Sequence, residues 1–122
     1  MNRSGPAVLE LLDRLGVPAE QALIVYDDMD LPFATLRLRA RGSAGTHNGM
    51  RSVVSALGTQ DVARLRIGIS QAGAGKAIDH VLSAFTAEEQ PIINEAVERA
   101  ADAALAWANE GAEVAMNRYN RS

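Results

Sequence analysis

Three carboxylates fall within four residues at Asp27, Asp28 and Asp30, between an apolar run and Leu31-Pro32. Such a group could hold a divalent cation through oxygen ligands, or one member could orient a histidine acting as general base. A solvated turn, with an aspartate accepting from backbone amides, would use the same residues. A second candidate is the loop of Gly42, Gly45 and Gly49 around His47 and Asn48. Glycines there could let backbone amides approach a phosphate at the start of the next helix, or could simply make a connection. The spacing fits neither GxxxxGK[ST] nor GxGxxG, which argues against a nucleotide site.

Arg37, Arg39 and Arg41, and again Arg64 and Arg66, form two rows of period two that would lie side by side if their strands pair. Guanidinium forks match phosphate geometry. The alternative is a solvated face on which arginine stems cover the sheet. Neither His47 nor His80 has a serine and an acid at a spacing that suggests a triad, and both are expected to be structural. Met50, Met116 and Trp107 read as core fillers.

Net charge is -3, yet its distribution is uneven. Between Arg37 and Arg66 six arginines face the single carboxylate of Asp61, a local balance of +5. Between Thr86 and Glu113 seven carboxylates face Arg99 alone, a balance of -6. One region could therefore meet phosphates while a distant helix carries the acid.

The elements that must position these groups follow from periodicity. Ser4, as N-cap, then Ala7, Val8, Leu11, Leu12 and Leu15 predict a first helix closed by Gly16 and Pro18. Ala22 to Tyr26 reads as a fully buried strand ending in the acidic turn, the edge where open α/β sheets bind ligands. Thr35 to Arg41 alternates as a second strand, with Leu36, Leu38 and Ala40 on one face. Met50, Val53, Val54 and Leu57 predict a helix ending at Gly58. Ala63 to Ser70 alternates as a third strand, with Leu65, Ile67 and Ile69 opposite Arg64 and Arg66. Beyond the loose residues 71–76, a short helical piece over residues 78–85 and a long helix over 87–109 are expected. Pro91 fits the first turn of the long helix, and the last helical turns cover 112–120.

At 122 residues, 48% hydrophobic and 22% charged, this is the composition of a globular α/β domain with a mixed twisted sheet flanked by helices, read as a single domain over 1–122. No apolar run approaches the roughly 20 residues of a membrane helix. Residues 1–7 lack the features of a secretory signal, so a cytoplasmic setting is expected. With no cysteine, disulfides, thiolate metal sites and a cysteine nucleophile are excluded.

Several motifs occur in order: Met1-Asn2-Arg3-Ser4-Gly5, Tyr26-Asp27-Asp28-Met29-Asp30-Leu31-Pro32 and Gly45-Thr46-His47-Asn48-Gly49. Leu57-Gly58-Thr59, Arg64-Leu65-Arg66-Ile67-Gly68-Ile69, Val81-Leu82-Ser83-Ala84-Phe85 and Ala115-Met116-Asn117 extend the series. Together they resemble bacterial peptidyl-tRNA hydrolase across essentially the whole chain. The resemblance implies hydrolysis of the ester between a peptide and the 3' end of tRNA, without metal or cofactor, by a family expected to be monomeric.

It also implies roles. Asn2 would line the site and help hold the base and the substrate, and Asp27 would hydrogen-bond the catalytic imidazole. Asn48 would position water and substrate, while Arg39 and Arg66 would meet tRNA phosphates. Two local departures are Gly42-Ser43-Ala44-Gly45-Thr46-His47-Asn48-Gly49 in place of GGxxGGHNG, and Tyr26 where histidine is common. The family's opening strand, GxGNPG-like loop and TRHN-like motif, which supplies the histidine base, are not in this sequence. The 122 residues alone are therefore expected to be impaired in catalysis, and a missing first strand would favour self-association. Two other readings stay open: a non-catalytic tRNA-binding or RNA-binding module, and a metal-dependent hydrolase using Asp27, Asp28 and Asp30.

Overall fold

The computed structural model describes residues 3–70 and 85–120. Asn2, His80, the loose residues 71–76 and nearly all of the piece expected over 78–85 lie outside the described residues. The elements are α1 (Ser4–Leu15), a 3-10 turn (Ala19–Gln21), β1 (Leu23–Pro32), β2 (Leu36–Arg39), α2 (Asn48–Leu57), β3 (Ala63–Ser70), α3 (Glu89–Glu110) and α4 (Ala112–Tyr119). The fold is α/β, with a mixed three-stranded sheet in the order β1-β3-β2. The chain divides into two compact units, residues 1–24 with 39–64, and residues 25–38 with 65–122.

In the first unit α1 packs on α2. Gly5 permits the close approach: a Cβ there would overlap the backbone carbonyl of Ser52, and the Gly5 N–H donates to Ser52 Oγ at 2.9 Å. The helix begins at Ser4 with Arg3 as the capping residue, one position earlier than the pattern predicts, and without a side-chain cap. Its left-handed Gly16 closes it as expected, and Gly58 does the same for α2 at φ 69°. Met50, Val53 and Val62 form the buried centre of this unit.

In the second unit Leu36 and Leu38 of β2 and Leu65 and Ile69 of β3 are buried, as alternation requires. The link from β1 to β2 crosses β3 at Gly68, where a Cβ would overlap the Pro32 carbonyl oxygen. A four-residue turn, closed by Thr35 N–H to Pro32 O at 3.1 Å, then reverses the chain. Gly68 exchanges bonds with this turn, accepting from Ala34 N–H at 2.8 Å and donating to Thr35 O at 2.7 Å. Because so short a link reverses direction while β1 and β2 flank β3, β3 runs parallel to one neighbour and antiparallel to the other.

β1 departs from expectation. It continues through the acidic cluster to Pro32 instead of ending before it, and it is not buried throughout, since Val25 is 49% and Met29 43% exposed. Asp28 explains the extension: its side chain turns inward to a partner and takes up a backbone N–H, so the acids sit within the strand. α3 starts at a capping box, Glu89 N–H to Thr86 Oγ1 at 3.1 Å and Thr86 N–H to Glu89 Oε1 at 2.8 Å, with Pro91 in its first turn. Its buried seam is Ile93, Ala96, Ala100, Ala103 and Ala106, and small side chains there let α4 pack closely through Ala115. Met50 is core as expected, whereas Trp107 and Met116 are only half-buried.

Candidate functional site

Of the three carboxylates, Asp28 is buried and fully engaged. Its Oδ1 accepts the Asp30 N–H at 2.8 Å and its Oδ2 lies 3.2 Å from Arg66 Nη1. Successive strand residues face opposite ways, so Asp27 points away from that pair. It is exposed and makes no hydrogen bond or ion pair among the described residues. Val25 and Met29, two residues to either side, share its face, so the carboxylate stands in a partly apolar strip. This disposition disfavours the metal reading: among the described residues no three acidic or imidazole groups converge.

The second candidate lies in the first unit, where loop 40–47 delivers Asn48 to the start of α2. His47 is the helix cap, its Nδ1 accepting the Met50 N–H at 3.0 Å. A nitrogen that accepts here carries no proton and is occupied, so His47 is placed as a structural group through this atom. Asn48 is exposed, and its amide makes no hydrogen bond among the described residues. Among the described residues both its donor and its acceptor are thus available for further hydrogen bonds.

The arginine rows do not form one solvated face. Arg64, only 3% exposed, donates to Val62 O at 3.0 Å, Ser43 O at 2.9 Å and Gln60 O at 3.2 Å. Arg66 belongs to Asp28, Arg51 Nε donates to Gly45 O at 3.0 Å, and Arg37 Nη1 reaches Asn120 O at 3.4 Å. Arg41 is 3.9 Å from Asp61, an exposed and weak pairing. Among the described residues Arg39 is the one arginine of the six with no hydrogen bond or ion pair, and it is exposed. Asn120 was not singled out by sequence reasoning. Its amide pairs with both backbone groups of Leu38, Nδ2 to O at 2.8 Å and Oδ1 from N at 2.6 Å, in the manner of an added strand.

The sequence model of the family described as peptidyl-tRNA hydrolase matches residues 1–122. The chain belongs to this family. It is 56% identical over 122 residues to a peptidyl-tRNA hydrolase of Chloroflexus aggregans, covering 98% of this chain and 65% of that protein. It is 45% identical over 122 residues to one of Desulfitobacterium hafniense, covering 99% of this chain and 66% of that protein. It superimposes on the crystal structure of the enzyme from Acinetobacter baumannii with a TM-score of 0.84 at 31% identity, covering 98% of this chain and 61% of that one. The chain thus spans slightly less than two thirds of these peptidyl-tRNA hydrolases. Within the family framework Asp27 and Arg66 fall in the second unit, and Asn48 and Arg39 in the first.

Proposed function

We propose that the chain acts in hydrolysis of the ester that joins a peptide to tRNA, with water as nucleophile and no metal. The observation that carries this is Asp27, an exposed carboxylate without a partner among the described residues, held in a strand beside a neighbour whose charge is already neutralised. Such a carboxylate can accept a hydrogen bond from an imidazole, orienting the ring and stabilising its protonated form. The histidine base comes from the part of the family sequence that these 122 residues do not span.

In the reaction that base removes a proton from water as the oxygen attacks the ester carbonyl carbon. The tetrahedral intermediate collapses, the bond to the tRNA 3' oxygen breaks, and the same proton passes to that oxygen. Asn48 donates to or accepts from the attacking water and the substrate, and Asn2 takes the role its motif implies, helping to hold the base and the peptide part of the substrate. Arg39 meets a tRNA phosphate. Arg66 faces tRNA more weakly than Arg39, because its charge is largely offset by Asp28. The setting for such a reaction is the cytoplasm, where translation takes place.

A non-catalytic tRNA-binding module would not distinguish peptidyl-tRNA from deacylated tRNA, whereas a hydrolase must. The test is a competition titration of the chain with both ligands, in the presence and absence of EDTA. Tighter binding of peptidyl-tRNA, unaffected by EDTA, is expected. Equal affinities would support the module, and loss of binding in EDTA would revive the metal reading.

A further inference from the structure

We propose that Arg64 is a positioning residue for Asn48, an inference that rests on the hydrolase reading above. Loop 40–47 has no regular secondary structure, and Gly42 and Gly45 hold φ of 143° and 61°, values other residues rarely adopt. Such a chain is free to wander unless something outside it fixes its course. The fixing group is the Arg64 guanidinium. Its Nη1 holds Ser43 O at 2.9 Å, while its Nε and Nη2 hold Val62 O and Gln60 O, so one planar fork ties the loop to the segment that leads into β3. The Gly42 N–H adds a parallel bond to Gln60 O at 3.2 Å.

From Ser43 onward the path is short and supported. Arg51 holds Gly45 O, the His47 N–H reaches Ala44 O at 3.4 Å, and the His47 side chain caps α2. Asn48 follows directly. Its backbone position is therefore set by a chain of bonds anchored on a guanidinium that is itself almost wholly buried. The tied segment is a largely exposed loop that ends in an exposed amide with no hydrogen bond among the described residues. Burying an arginine among carbonyls is costly, and the rigid geometry of its fork is what a lysine cannot reproduce. Displacing a substrate-positioning group by about 1 Å can lower a rate on the order of 100-fold.

The test uses Arg64→Lys, which keeps the charge and loses the fork, and Arg51→Ala, an exposed change that removes only the Gly45 brace. Two readings are taken on the 122-residue chain: amide exchange over residues 43–48 with the NMR signal of the Asn48 side-chain NH2, and the preference for peptidyl-tRNA over deacylated tRNA. In Arg64→Lys, exchange over these residues is expected to quicken about tenfold or more, the Asn48 signal to shift, and the preference to shrink. Arg51→Ala should give a smaller change in the same amides, which keeps the idea testable should the lysine variant fold poorly. Unchanged loop amides in both variants would overturn the proposal. So would a disturbed loop with an undiminished preference. Absence of the preference in the unaltered chain would instead sink the hydrolase reading, and with it any catalytic meaning of the brace.

Discussion

Arg66 and Asp28 form an ion pair across β3 and β1, Nη1 to Oδ2 at 3.2 Å, with the carboxylate side chain only 10% exposed and the guanidinium 27%. Removing the cation leaves an enclosed carboxylate with a single backbone N–H as its partner among the described residues. Arg66→Ala is therefore expected to cost about 1–3 kcal/mol, more than Asp28→Asn, which keeps the acceptor for Asp30 N–H. Urea melts of the two single variants and the double variant provide the check. Additive losses would mean that the pair is not coupled.

That pairing separates the two arginines proposed to face tRNA. Arg39 has its charge free of hydrogen bonds and ion pairs among the described residues, so Arg39→Ala should lower the slope of log affinity for tRNA against log salt by about one unit and leave the melting temperature unchanged. Arg66→Ala should show its main effect in stability. A slope that does not move in Arg39→Ala would return this residue to the role of a solvated side chain.

The positions of these arginines were legible in the sequence, and their commitments were not. Alternation placed β2 and β3 correctly because Leu36, Leu38, Leu65 and Ile69 bury as the period demands. The same alternation put Arg64 on a polar face, yet it is buried, because its partners are carbonyls of residues 43, 60 and 62 that no spacing rule connects to it. β1 runs further than its apolar stretch predicts, since aspartates disfavour strands, and a long-range partner, Arg66, shows why Asp28 is tolerated inside one. Asp27 and Asn48 are singled out by motif resemblance. Position and spacing point only to the acidic cluster and the glycine loop that contain them.

Gly5 illustrates a constraint with a measurable size. Adding a methyl group forces it into the Ser52 carbonyl where α1 meets α2, so Gly5→Ala should destabilise by about 1–3 kcal/mol despite the better helix propensity of alanine. Ser52→Ala, which removes the hydroxyl that accepts the Gly5 N–H, should cost about 1 kcal/mol. Thermal melts that rank these two variants the other way would show that the helices can move apart freely.

Ala34 gives the opposite sign. It holds φ 63° at the third position of the Pro32 to Thr35 turn, a left-handed conformation that costs an L-residue about 1–2 kcal/mol. Glycine avoids that strain but adds freedom to the unfolded chain, so Ala34→Gly should stabilise by about 0.5–1 kcal/mol. A lower melting midpoint in the variant would mean that the alanine methyl makes contacts that outweigh the strain.

The central claim is that Asp27 and Asn48 serve ester hydrolysis on peptidyl-tRNA, and the most direct measurement is single-turnover cleavage. The chain is assayed alone and after extension with the preceding segment of a relative such as the Chloroflexus aggregans protein, the extended form also carrying Asp27→Asn or Asn48→Ala. The extended form should cleave peptidyl-tRNA in EDTA, the chain alone should stay near background, and each substitution should slow the extended form by about 100-fold or more. An extended form whose rate is unchanged by Asp27→Asn and by Asn48→Ala would contradict the account.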